Sequence, residues 1–140
     1  MRESSGDSTS DLLMTAARSM RRSFGEAMAA WEITPSQARA LRIVGELGSV
    51  RLSVLAERLR IAPRSATEVV DALEARSLVA REPDPADRRA TSVVPTPAGT
   101  RLATELEEAR RTATEQRLAV LGDADRAELD RILRLLVDQP

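Results

Sequence analysis

The chain has 140 residues, of which 21 are basic and 22 acidic, for a formal net charge of −1. A chain of this length can bury roughly 70% of its unfolded surface, so one domain with a true core is within reach. Cysteine and histidine are both absent, which removes disulfides, thiol nucleophiles, thiol redox sensing, and the commonest metal ligand and general base.

The polar opening MRESSGDSTS holds no apolar stretch that could act as a signal sequence. It is expected to fray, and with no apolar run near the ~18 residues of a membrane span the protein is read as cytoplasmic with no membrane partner. From Leu13 the apolar residues Leu13, Ala17, Met20, Phe24, Ala27 and Trp31 recur in steps of four and three. That spacing predicts one amphipathic helix with a continuous stripe.

At EITPSQ the pattern breaks. Thr34 suits an N-cap, Pro35 a first helical position, and Gln37 completes a capping box, so a second helix is predicted from there to about Leu47, ending at Gly48. The following SVRL is long enough only for a small extended segment. Ser53 is expected to cap a short helix bearing Leu55 and Leu59. Pro63 then opens another, to about Arg76, which buries Ala66, Val69, Val70 and Leu73. On that helix Arg64, Ser65, Thr67, Glu68, Asp71 and Glu74 are expected to face outward. Two short helices joined by a tight turn make a helix-turn-helix.

LVARE and ATSVV are β-prone segments on either side of PDPAD and read as a hairpin, with Pro83 and Pro85 keeping the strands from pairing across the tip. Thr96 and Pro97 repeat the cap signal and open the longest helix, with Leu102, Leu106, Ala109, Ala113, Gln116 and Val120 in its stripe. LGDAD ends it. Asp123 is expected to cap a last helix carrying Leu129, Ile132, Leu133 and Leu136. A hairpin directly after a helix-turn-helix is a wing, so the fold class is mainly α: six helices with a small β-hairpin.

The function classes separate on the polar residues. With Phe24 and Trp31 the only aromatics, a base-stacking surface for single strands cannot be built. A helix, by contrast, fits the major groove of B-DNA and offers first-turn side chains to base edges. Pro63, Arg64, Ser65, Thr67 and Glu68 occupy that turn, and an arginine there suits the bidentate contact to guanine. A stiff loop ending in Arg88 and Arg89 can enter an adjacent minor groove, with Asp84 capping the turn and Asp87 orienting an arginine. Read as a bare surface, the same residues are only a solvated helix face and a charged hairpin. All 21 basic residues are arginine, which suits phosphate and guanine but also follows from codon usage alone.

These pieces together resemble the MarR family of bacterial transcriptional regulators over nearly the whole chain. The likeness is carried by ITPSQARALRIV, by LSVLAERLRIAPRSATEVVDALEARSLVARE and by DPADRRATSVVPTPAG, in that order. The resemblance implies an intertwined homodimer, with residues 1–33 and 97–138 supplying dimerisation helices and residues 34–95 a winged helix-turn-helix lobe for a pseudo-palindromic operator in double-stranded DNA. It places DNA contacts on Ser53, Pro63, Arg64, Ser65, Thr67, Glu68, Arg88 and Arg89, with Asp87 as support for the wing. It also implies repression relieved by a small aromatic or phenolic inducer, in a pocket to which Phe24, Met28 and Trp31 would contribute. No metal and no cofactor are implied.

Three departures from the family pattern stand out: Ser77 in place of a helix-ending glycine, Ala62 in place of a capping serine or threonine, and Pro95 at the end of a strand. A second function class, a winged helix used as a protein-interaction scaffold with little DNA affinity, draws on Glu68, Asp71, Glu74 and the net negative charge. Catalysis has no support, because the carboxylate pairs Glu107 with Glu108 and Asp123 with Asp125 have no nucleophile or metal set around them.

Overall fold

A capping box opens the first helix earlier than its apolar stripe implies. In the computed structural model, which describes residues 7–140, Ser8 Oγ accepts from the Asp11 amide at 3.1 Å and the Asp11 carboxylate accepts from the Ser8 amide at 3.2 Å. Helix α1 therefore runs Thr9–Met28. Of the opening expected to fray, Ser8 is the cap and Thr9 and Ser10 are helical, while residues 1–6 lie outside the described residues. A 3-10 turn, Ala29–Trp31, follows and stops at Glu32, which is left-handed at φ 51. Trp31 thus stands beyond the helix that its spacing suggested.

Helix α2 (Pro35–Leu47) begins with the predicted box, Thr34 Oγ1 accepting from the Gln37 amide and Gln37 Oε1 from the Thr34 amide. After Gly48 come β1 (Val50–Arg51), α3 (Leu52–Leu59) and α4 (Pro63–Ala75). Ser53 is not the cap of α3. Arg51 holds that position, without a side-chain cap, and Ser53 lies inside the first turn.

Both helices of the helix-turn-helix end in the same way. The Arg60 amide donates to Glu57 O and the Ile61 amide to Ala56 O, while Ser77 donates to Glu74 O and Leu78 to Leu73 O. Each is a Schellman ending that calls for a left-handed residue, usually glycine, yet Arg60 and Ser77 take it, at φ 55 and φ 58. The N-cap of α4 is equally unaided, since Ala62 has no side chain to receive an amide. Ser77→Gly and Ala62→Ser should each raise stability by about 1 kcal/mol in urea denaturation. No gain from Ser77→Gly would mean that the left-handed turn carries no strain.

Strands β2 (Val79–Pro83) and β3 (Thr91–Pro95) form the wing, and β1 joins on the other side, giving an antiparallel sheet in the order β1-β3-β2. Pro83 pairs with Thr91, so only Pro85 lies outside the ladder; the expectation that both prolines prevent pairing holds for the second alone. Pro83 is tolerated because β2 is an edge strand. Pro95 ends β3 opposite Val79, beyond the two positions that β1 pairs.

Leu41, Val44, Leu55, Val70, Leu73, Val79 and Val93 are fully buried and make the core of this lobe, with Leu102 and Leu106 of α5 closing it. Helix α5 (Pro97–Leu118) starts at Thr96, whose hydroxyl accepts from the Gly99 amide at 3.0 Å and donates to Ser77 O at 2.6 Å. Its predicted stripe is only partly core. Leu102, Leu106 and Ala113 are buried, whereas Gln116 is exposed and Val120 lies past the helix end. Helix α6 (Asp123–Val137) is capped by Gly122 rather than Asp123, which sits one residue inside, where its charge suits the helix N-terminus. Neither α1 nor α6 has a buried residue.

Candidate nucleic-acid interface

The first turn of α4 projects from a fixed base. Ala66, Val70 and Leu73 anchor the helix in the core, which turns Arg64 and Ser65 outward by helical geometry. The Arg64 side chain is 93% exposed, and its nearest acid, Glu68 one turn later, lies at 3.9 Å. Such an exposed pair contributes little and leaves the guanidinium free to engage another anion. Thr67 differs from its neighbours: its hydroxyl donates to Pro63 O at 3.1 Å, back along its own helix. Ser53 and Pro63 are exposed.

Asp71 and Glu74, expected to point freely outward, are held instead by Arg81 of β2. Its guanidinium bridges both carboxylates, and its amide donates to Glu74 Oε2 at 3.1 Å. The wing is thereby tied to α4, and two of the three acids that favoured a scaffold role are held in ion pairs with a neighbouring strand.

At the wing tip, Arg88 and Arg89 are exposed and form no ion pair among the described residues. Asp87 accepts from the Arg89 amide at 3.0 Å, so it shapes the backbone of the tip and does not hold a guanidinium. Asp84 is buried, at 8% exposure. It caps the turn as predicted, accepting from the Ala86 and Asp87 amides at 2.8 and 3.0 Å, and also receives Arg51 and Ser92. Arg51 first, then the Ala86 amide, hold this carboxyl well below the usual carboxylate range against the opposing effect of burial. Its contribution is therefore complete above the ordinary aspartate range and is lost only as pH falls through the depressed value in strong acid.

A cavity of about 390 Å³ lies between α1 and α5 on one side and α2 and the end of α3 on the other. Phe24 and Met28 line it, with Leu59, Ile61 and Leu106 in the apolar wall and Ser36, Glu107, Arg21, Arg39, Arg42 and Arg110 in the polar one. Trp31 does not. Its indole N–H donates to Glu105 at 3.1 Å, and its ring packs on the core. Arg110 stands 4.8 Å above the centre of the Phe24 ring, a cation–π contact. Arg39 reaches from the cavity to Leu59 O and Arg58 O, at 3.3 and 3.0 Å, the otherwise unsatisfied carbonyls at the end of α3.

Sequence reasoning missed Arg51, Arg39, Arg42 and Arg110. Nothing local marks them, since each draws its meaning from a partner or wall on another element.

A helix-turn-helix, a three-stranded sheet and an arginine-tipped wing loop define a winged helix-turn-helix protein. The sequence pattern of the MarR family matches residues 33–91. The HTH-type transcriptional regulator ML2140 of Mycobacterium leprae is 32% identical over 112 residues, covering 77% of this chain and 78% of that protein. The chain belongs to the MarR family. Two solved structures, each 25% identical, align over the full length of both chains. One, with a TM-score of 0.80, is BpsR of Bordetella bronchiseptica, described for regulation of its DNA binding by 6-hydroxynicotinic acid. The other, with a TM-score of 0.73, is NadR in complex with 4-hydroxyphenylacetate. Against the first curated relatives the matches are shorter, spanning 52% and 41% of those proteins.

Proposed function

We propose that this chain is a homodimeric, sequence-specific regulator of transcription that binds a pseudo-palindromic operator and is released from it by a small aromatic carboxylate. The observation that carries the DNA reading is the division of labour among charges. Arg81 takes up Asp71 and Glu74, while Arg64, Arg88 and Arg89 remain open on the recognition helix and wing. In this reading α4 enters the major groove and the wing an adjacent minor groove. A protein-interaction scaffold is the weaker reading, because the acids that favoured it are engaged in ion pairs, Asp71 and Glu74 with Arg81 and Glu68 with Arg64.

Dimerisation is supported by the apolar residues left exposed towards the two chain ends, among them Leu12, Leu13 and Met14 of α1 and Ile132, Leu133, Leu135 and Leu136 of α6. The ligand reading rests on the cavity. Arg42 and Arg110 are half-buried beside Phe24 and Met28 and form no ion pair among the described residues, so that the cavity's four arginines outnumber its one acid, Glu107. The ligands of BpsR and NadR both pair an aromatic ring with a carboxylate, a chemistry that such a wall suits. Because half-sites must lie about 34 Å apart on one face of the duplex, a small change in the separation of the two lobes suffices to weaken binding.

Fluorescence anisotropy tests this directly, using DNA that flanks the gene, a scrambled duplex, two salt concentrations, and added 4-hydroxyphenylacetate. Tight, salt-sensitive binding to the native flank alone is expected. Arg89→Ala should reduce the salt slope by about one if the residue meets phosphate. Arg64→Ala should cost about 1–3 kcal/mol at a single base position if it reads guanine. Equal and weak binding to both duplexes, insensitive to either substitution, would reject a DNA-reading role for these residues on this duplex.

A further inference from the structure

The wing loop has almost no packing of its own. Residues 85 to 89 are all exposed, so no apolar contact fixes the tip that carries Arg88 and Arg89. Polar bonds must do so; beside the Asp87 carboxylate, which accepts from the Arg89 amide, most of them converge on Asp84. Asp84 Oδ1 accepts from the Ala86 and Asp87 amides and from Arg51 Nη2 at 3.2 Å; Asp84 Oδ2 accepts from Arg51 Nε at 2.9 Å and from Ser92 Oγ at 3.0 Å. The Asp84 amide closes the loop on Ala90 O at 2.9 Å.

Arg51 is the other end of this connection. It is the N-cap residue of α3 and pairs with Ser92 in the sheet, so its backbone belongs to the start of the helix-turn-helix. Its side chain grips the base of the wing, in the two-pronged geometry that makes an arginine–carboxylate pair directional. A single carboxylate therefore both folds the wing tip and attaches it to the lobe that carries the recognition helix.

We propose that Arg51, Asp84 and Ser92 form a clasp that sets the position of the wing tip relative to the helix-turn-helix, making Arg51 a positioning residue for Arg88 and Arg89. The inference rests on the DNA-binding reading for its consequence and on the geometry above for its cause. Without the clasp the two arginines reach DNA from a wider ensemble, and their ordering is charged to the binding step.

The test is a double-mutant cycle on operator affinity with Arg51→Ala, Arg88→Ala/Arg89→Ala and the triple variant, joined by hydrogen exchange at the Ala86 and Asp87 amides of the DNA-free protein. Arg51→Ala should weaken operator binding by roughly tenfold, the scale of ordering two long side chains. It should speed exchange at those two amides while leaving core amides unchanged, and cost nothing further in the Arg88→Ala/Arg89→Ala background. Arg51→Lys, which keeps the charge but loses the fork, should recover only part of the affinity. The Arg51 side chain is 42% exposed, so a direct phosphate contact is the competing account. An Arg51→Ala loss that is undiminished when Arg88 and Arg89 are absent, or unchanged exchange at Ala86 and Asp87, overturns the clasp. If the wild-type protein binds no duplex, the DNA reading fails, and the exchange data alone decide whether Arg51 orders the wing.

Discussion

Gly99→Ala is expected to destabilise the protein by about 3 kcal/mol or more, lowering the thermal midpoint by roughly 10 °C. Gly99 is the third residue of α5, donating its amide to the Thr96 cap. A Cβ built there would penetrate the Leu78 carbonyl oxygen, approach the Leu78 carbonyl carbon to 2.9 Å and Leu41 Cδ1 to 3.4 Å. The Leu78 carbonyl cannot step aside cheaply, because it accepts from the Thr96 amide at 3.1 Å and Leu78 ends the Schellman turn of α4. The entry of α5, the end of α4 and the root of β2 would have to separate together. Gly25→Ala in α1 is the control: beyond its chain neighbours and its own helix backbone, no atom lies within 4 Å of its added Cβ, and it should stabilise by about 0.5–1 kcal/mol through helix propensity. A wild-type midpoint for Gly99→Ala would show that α5 can slide on Leu78 without loss.

The second large effect concerns α6. Leu133→Glu/Leu136→Glu should leave a monomer in sedimentation equilibrium and lower affinity for a two-half-site operator by about 10² to 10⁴-fold, the usual cost of losing a linked second site. Neither residue is buried in the single chain, so the winged lobe should keep its fold. A helix of 15 residues is marginal in water without a partner. The far-ultraviolet signal should therefore fall by no more than the share of α6. A double variant that remains dimeric would place the interface elsewhere, and one that loses the cooperative unfolding of the lobe would show that α6 supports the core.

Much of the fold was legible because its signals are local. Thr34 with Gln37, and Thr96 with Pro97, announced helix starts through bonds spanning three residues. Ala66, Val70 and Leu73 marked the buried face of α4 through its period. The errors were local competitions decided by a single residue. Ser53 and Asp123 are good caps by type, but the chain had already turned helical one residue earlier or was capped by the glycine before. Val120 kept the stripe's spacing after the helix itself had ended.

The candidate interface was legible in its outward residues and not in its supports. Arg64, Ser65, Arg88 and Arg89 were predicted from position alone, and they stand exposed on α4 and the wing. Arg51 and Asp84 are 33 residues apart, and Arg81 finds its partners on a helix rather than at the tip. Among 21 arginines, residue type cannot say which are consumed within the fold.

What this sequence determines by itself is the order of its helices, the buried face of α4, the winged helix-turn-helix and the family, since capping, periodicity and turn chemistry act over a few residues. Tertiary structure alone decided which charges are neutralised, where an arginine-lined cavity opens, and why Gly99 must lack a side chain. Those outcomes depend on distances between segments far apart in the chain, which only the packing of α2, α4, α5 and the sheet against one another sets.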